Sequence, residues 1–200
     1  MKHLKQTTLA AALVLGAGFS TLTSAAPTSY AGTGGALPDL VDFSSSITVV
    51  DTGIINDVFI SLNDFTHTWI GDFFATLTFD DGSSEVSVVL FDRQGGSNNP
   101  DGTYTFADGG TAGFGAGNPI PEGTYAAVGS FSVFDGLSAA GTWTLNLDDR
   151  AGLDAGNLGS WTLNIDTGEA PAPVPAPATL ALFGLGLVGL GWSRRKKSNS

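Results

Sequence analysis

His67 is the one imidazole between residues 26 and 170, and Asp64 and Asp72 lie near it in sequence. A histidine with a carboxylate neighbour offers two of the three groups of a nucleophilic triad, whose chemistry also needs a serine within hydrogen-bond reach of the base. No strand-turn-helix elbow in the sequence presents such a serine, so a structural histidine is the favoured reading. Cysteine is absent, which excludes disulfides, thiolate metal sites and a thiol nucleophile together. Carboxylate pairs of the glycoside-hydrolase kind can be drawn at will from so many aspartates and carry no weight. The expectation is a protein that is not an enzyme.

Calcium is the one cofactor for which the residues offer ligands. It takes roughly six to eight oxygens from carboxylates, loop carbonyls and water, and the aspartates stand in glycine-rich loops. Asp148, Asp149 and Asp154 surround one loop, and Asp92 and Asp101 bracket another. Neither loop has EF-hand spacing or a β-helix repeat, so the competing reading is favoured: aspartates that make turns and a solvated acidic face. Trp69, Trp143 and Trp161 could stack on sugars, but inward strand positions are expected to place them in a core.

All 19 acidic residues fall between residues 26 and 170, where Arg93 and Arg150 are the only lysine or arginine side chains. Such a field disfavours nucleic acid and anionic membrane surfaces and favours cations or basic partners. The same stretch holds enough Phe, Trp, Val, Leu and Ile to bury the core of one domain.

The elements that would carry these residues follow a period of two. Val58, Ile60 and Leu62 alternate with polar neighbours, as do Phe73, Ala75, Leu77 and Phe79. Val86, Val88 and Leu90 follow after the turn Asp80-Asp81-Gly82. Trp143, Leu145 and Leu147 form a pattern that Trp161, Leu163 and Ile165 repeat in nearly the same words, predicting two paired or facing strands. Gly/Asp/Asn-rich stretches at 95–102 and 109–117 read as loops. No helical pattern appears, and the fold class is all-β, an antiparallel β-sandwich or jelly roll.

The two ends differ from this body. Lys2 and Lys5 precede an apolar stretch from Leu9 to Phe19 and small residues from Thr23 to Ala26, the layout of a secretory signal peptide with cleavage expected after Ala25. Near the other end, Val174, Pro175, Ala176 and Pro177 lead into an uncharged run that Arg194, Arg195, Lys196 and Lys197 close. The run is short and glycine-rich for a permanent span. The four cations predict a C-terminus held in the cytoplasm and a body held outside. The division expected is a signal peptide at 1–25, an N-terminal spacer at 26–46, the sandwich at 47–168, a stiff Pro/Ala linker at 169–177 and a tail segment at 174–200.

That tail, with Thr179-Leu180-Ala181-Leu182-Phe183-Gly184-Leu185-Gly186-Leu187 before its cations, resembles the PEP-CTERM sorting signal. Ala176 stands where the signature has glutamate, as in the Pro-Ala-Pro variants. The resemblance implies recognition by an exosortase, a transpeptidase-like integral membrane enzyme, as the chain crosses the inner membrane of a Gram-negative bacterium that makes extracellular polysaccharide. An ordinary single-pass tail anchor is the plainer alternative.

A second resemblance covers about Ile54 to Ile165. His67-Thr68-Trp69-Ile70-Gly71-Asp72, Leu90-Phe91-Asp92-Arg93-Gln94-Gly95-Gly96, Tyr104-Thr105-Phe106-Ala107-Asp108, Gly141-Thr142-Trp143-Thr144-Leu145 and Asp154-Ala155-Gly156-Asn157-Leu158-Gly159-Ser160-Trp161 occur in the order of the P domain of proprotein convertases. That domain is a jelly-roll sandwich that follows and stabilises a subtilisin-like protease domain. Only a short spacer separates Ala26 from Ile54, so the implied role is binding or stabilising rather than peptide cleavage. The function expected is a non-catalytic surface or matrix protein whose partner is a polysaccharide or an envelope protein. The alternatives are an accessory factor acting on a subtilisin-like protease in trans, and a calcium-dependent carbohydrate-binding module.

Overall fold

The computed structural model describes residues 26–168. The expected signal peptide up to Ala25, the Pro/Ala linker and the sorting segment lie outside the described residues. Nine strands form within the described residues: β1 (Thr28–Leu37), β2 (Phe43–Val49), β3 (Asp57–His67), β4 (Phe73–Asp80), β5 (Glu85–Asp92), β6 (Asp101–Thr111), β7 (Gly123–Tyr125), β8 (Gly141–Asp149) and β9 (Gly156–Asp166). They make two sheets, ordered β1-β9-β3-β6-β7 and β2-β8-β4-β5. The only helical pieces among the described residues are 3-10 turns at Ile70–Asp72 and Phe131–Phe134. The all-β sandwich expected from the period of two is therefore present, and each alternating run lies on a strand whose apolar members face inward.

Two features depart from the sequence reading and a third narrows it. The stretch 26–46 is not a spacer: β1 and the start of β2 lie in it, pairing with β9 and β8. Its alternation is hidden because the inward positions carry small residues such as Gly32 and Ser45. Of the two arrangements expected for the twin Trp strands, paired or facing, pairing is absent, because they lie in opposite sheets. β8 lies between β2 and β4 in one sheet, and β9 between β1 and β3 in the other. Finally, β7 runs parallel to β6, so the sandwich is antiparallel except at that edge.

The core is rich in aromatics. Trp143 lies tilted against Phe79 at 4.5 Å and edge-on to Phe134 at 4.9 Å, and its Nε1–H donates to Ala139 O at 3.2 Å. Phe114, carried in on the loop after β6, packs against Phe91 at 4.9 Å and Phe106 at 5.0 Å. Rings at these separations contribute beyond their buried area. The outer face of the β2-β8-β4-β5 sheet carries a hydroxyl row, Ser46, Thr144, Thr78 and Ser87, in register across its four strands. Bonds of 2.9 Å and 2.8 Å link its two outer pairs.

Register places both exits of the described domain together. Thr28 pairs with Ile165 and Asp57 with Asp166 at one end, while Leu37 and His67 both pair with Gly156 at the other. We term these the exit end and the far end.

Trp161 is fully buried, and a Cβ on Gly32 would fall 2.1 Å from its Nε1. Gly32→Ala forces that indole out of its seat. The expected cost is roughly 1–3 kcal/mol or more, read as a lower urea midpoint with an unchanged slope.

Candidate functional site

At the far end, three connections converge. They are the β1–β2 loop around Asp39 and Leu40, the β3–β4 crossing through Thr68, Trp69 and the turn at Ile70–Asp72, and the β8–β9 loop from Arg150 to Ala155. Side chains of one loop serve the backbone of the next. Asp39 Oδ1 accepts from Leu153 N at 2.9 Å, and Asp149 Oδ2 accepts from Leu40 N at 3.2 Å. Thr68 Oγ1 donates to Asp154 Oδ1 at 2.6 Å and accepts from Ala155 N at 3.3 Å. Asx-type bonding of this kind fixes loops that have no sheet ladder of their own.

Glycines bring further backbone into this end. A Cβ on Gly71 would lie 2.7 Å from Gly96 Cα, and Gly95, at φ +91°, would meet Gly115 O at 2.7 Å. The Asp-Arg-Gln-Gly-Gly segment after β5 is thus a place where three loops touch main chain to main chain. Arg93 closes it by donating from Nε to Gly71 O at 3.2 Å.

Between these loops lies an open cavity of about 460 Å³ lined by Trp69, Asp72, Gly152, Leu153 and Asp154. Trp69 is 43% exposed, against the expectation of a core position. It sits in the crossing after β3 rather than on a strand, so the inward alternation does not reach it. Trp143 and Trp161 are buried as expected. Leu153, Leu40 and Val41 are 96%, 62% and 50% exposed at the same end. Neither leucine was singled out by sequence, and only the backbone reveals them: Leu40 has φ +54° and Leu153 φ +90°, values that a bulky residue rarely takes.

His67 lies beneath this end, 3% exposed, with its ring edge-on to Phe73 at 4.2 Å. The Trp69 N–H donates to its Nδ1 at 3.2 Å. The same Nδ1 lies 3.1 Å from Trp69 O, so both polar backbone atoms of Trp69 face it, while Nε2 is a buried atom with no hydrogen-bond partner. The histidine is therefore structural on one nitrogen and unsatisfied on the other. Among the described residues no hydroxyl contacts either nitrogen, so the geometry of a serine triad is not assembled around it there. Burial pushes its pKa down, against the opposing effects of the Trp69 backbone and of Asp149, Asp154 and Asp72.

All five calcium candidates reach the far end, but they do not converge. Asp92 closes β5 and Asp101 opens β6. Asp148 pairs with Arg150 at 3.3 Å, and that guanidinium also lies 3.9 Å over the ring of Phe74. Asp149 is buried with its oxygens on the amides of Leu40 and Ala151, and Asp154 holds Thr68. Among the described residues no three of His, Asp or Glu are grouped to hold a metal ion.

The exit end holds a second, more polar recess of about 340 Å³, lined by Thr28, Tyr30, Asp51, Thr52, Gly53 and Thr167. Tyr30 OH donates to Asp51 Oδ2 at 2.5 Å, and burial with that carboxylate pushes the phenol pKa up to about 12.

Two outcomes check this arrangement. Asp149→Ala removes a buried carboxylate that accepts from the part-buried amides of Leu40 and Ala151 and is expected to cost roughly 1–3 kcal/mol in denaturant unfolding. His67 has a folded pKa below its unfolded value of about 6.5, so its contribution is complete above that pH and is lost as pH falls through and below it. A stability profile measured between pH 7 and 5 is expected to decline, and the decline to flatten in His67→Gln.

Residues 55–165 match the proprotein convertase P-domain family, and residues 173–196 match the PEP-CTERM protein-sorting motif. Among solved structures, a serine protease of Aeromonas sobria in complex with the chaperone is similar at 15% identity and a TM-score of 0.41. That alignment covers 72% of this chain and 27% of that one. The Aeromonas sobria serine protease alone aligns at 14% identity and a TM-score of 0.39, covering 70% and 27%. The chain thus spans about a quarter of the length of those proteins. No curated protein matches it.

Proposed function

We propose, from the premise that this chain belongs to the proprotein convertase P-domain family and carries a PEP-CTERM sorting motif, that it is an exported, non-catalytic binding module processed by an exosortase. The single observation that carries this reading is the joining of those two matches in one chain. The sorting motif indicates export and C-terminal processing in Gram-negative bacteria, and the P-domain match covers the sandwich from β3 to β9. The jelly-roll winding, the signal peptide cleaved after Ala25 and the short membrane segment belong to the same reading. The destination is the cell surface or an extracellular matrix, with polysaccharide or an envelope protein as the partner.

What supports a non-catalytic role is the isolation of His67 from any hydroxyl nucleophile and the use of the far-end carboxylates as loop braces. Aspartates spent on backbone amides are poorly placed to act as acids or bases on a substrate.

The test is the intact mass and cell fraction of the protein from a producing strain and from one lacking the exosortase. The expected result is loss of everything beyond the Pro175 region in the first strain only. An unchanged tail in both would overturn sorting and leave a membrane-anchored P-domain protein.

A further inference from the structure

We infer that the far end, at Trp69, Leu153, Leu40 and Val41, is a docking surface for a polypeptide segment that carries a lysine or arginine beside aliphatic residues, offered by another exported protein. This rests on the binding-module reading and names the place and chemistry of the binding.

Single exposed apolar residues need no explanation, but these four belong to adjoining loops. The Leu40 and Leu153 loops are tied by Asp39 and Asp149, and Trp69 and Leu153 line one cavity. A Cβ on Gly152 would come within 3.4 Å of Leu40 Cδ1, which places Leu40 directly against the β8–β9 loop.

The backbone gives an independent argument. Leu40 and Leu153 hold φ values of +54° and +90°, where glycine would sit without strain. Leu153 instead points a large apolar side chain into water, and Leu40 leaves most of its own exposed beside it. Such a side chain adds nothing to the folded core, so what it offers is contact with something outside the molecule.

The charge around the patch selects the occupant. Asp72 and Asp154 share the cavity with the Trp69 indole, and Asp39 and Asp149 stand behind the leucines. An indole with carboxylates beside it suits a lysine or arginine head, through the ring face and charge-assisted hydrogen bonds. Arg93 sits 3.9 Å from Asp72, within reach of exchange with an incoming cation. A second copy of this chain would bring the same acidic rim against itself, and nucleic acid would be repelled. Aliphatic leucines are poor sugar platforms, which favours a peptide over a polysaccharide. The surface lies opposite the end from which residue 168 leads on to the tail.

The experiment uses the full chain in phosphatidylcholine nanodiscs, with empty discs subtracted. The probe is a fluorescent peptide bearing one arginine between leucine pairs. Saturable binding is expected, weakened at least about tenfold when glutamine replaces the arginine, and similarly by Trp69→Ala or Leu153→Gly. Leu153→Gly is also expected to raise the melting temperature, because it relieves the backbone while removing the contact, so weakened binding cannot be ascribed to misfolding. Absence of saturable binding, indifference to the arginine, or full binding by Leu153→Gly overturns the proposal. Retention of a polysaccharide or of a subtilisin-like protease with equal affinity by the wild-type chain and by Leu153→Gly overturns the far-end assignment while leaving the binding-module reading intact.

Discussion

The indole of Trp161 occupies the volume that a side chain on Gly32 would fill, and it donates across the sandwich to Ser45 Oγ at 2.9 Å. One ring therefore joins β9 to its neighbour β1 and to β2 of the opposite sheet. A buried indole N–H must find an acceptor, and a buried hydroxyl at residue 45 supplies it. Ser45 in turn lies 3.3 Å from the Oγ1 of exposed Thr33, so the polar contact runs from the buried indole out to the edge of the sandwich. Because β9 also pairs with β3 along its whole length, the registers of β1 and β3 are both set from the strand that Trp161 fixes. The far-end loops inherit their positions from those registers, since Leu37, His67 and Gly156 end the three strands together.

Strands whose inward residues are large were legible in the sequence. The Val58, Phe73, Val86, Trp143 and Trp161 runs alternate plainly, and each lies on a strand. β1 was not legible, because its inward face is shaped around the side chains of other strands. A glycine beneath a tryptophan gives no hydrophobic signal of its own. The candidate site was half visible: the aspartate-rich loops flanking the Trp strands are among those that meet at the far end. What could not be read were the loop-to-loop bonds of Asp39, Thr68 and Asp149, which span about a hundred residues of chain, and the positive φ at Leu40 and Leu153. Glycine announces such a backbone and leucine conceals it. Trp69 was misread for a related reason, since its place in a crossing segment breaks the inward-outward alternation that governs strands.

Charge is distributed by end rather than by face. The outer surface of the β2-β8-β4-β5 sheet is hydroxylated, while carboxylates cluster where strands stop. At the exit end Asp57 stands directly across from Asp166. Burial, together with nearby Asp108, Asp135 and Asp166, pushes the pKa of Asp57 up against the lowering effect of a backbone hydrogen bond. Both described arginines lie instead at the far end, paired with Asp72 and Asp148. The domain consequently presents unbalanced negative charge on the side from which the chain continues toward residue 169, and partly compensated charge on the other.

The position of β9 in its sheet has a bearing on the order of assembly. The last strand is an interior one, flanked by the first strand and by β3. A polypeptide delivered from its N-terminus cannot close this sheet before residue 166 has arrived, however much of it has already collapsed. Until then β1 and β3 present open edges to whatever is nearby. The sorting motif begins at residue 173, only a few residues after β9 ends. Completion of the sandwich and delivery of the segment that is to be cut are thereby nearly simultaneous events, and a chain truncated before residue 166 would lack both.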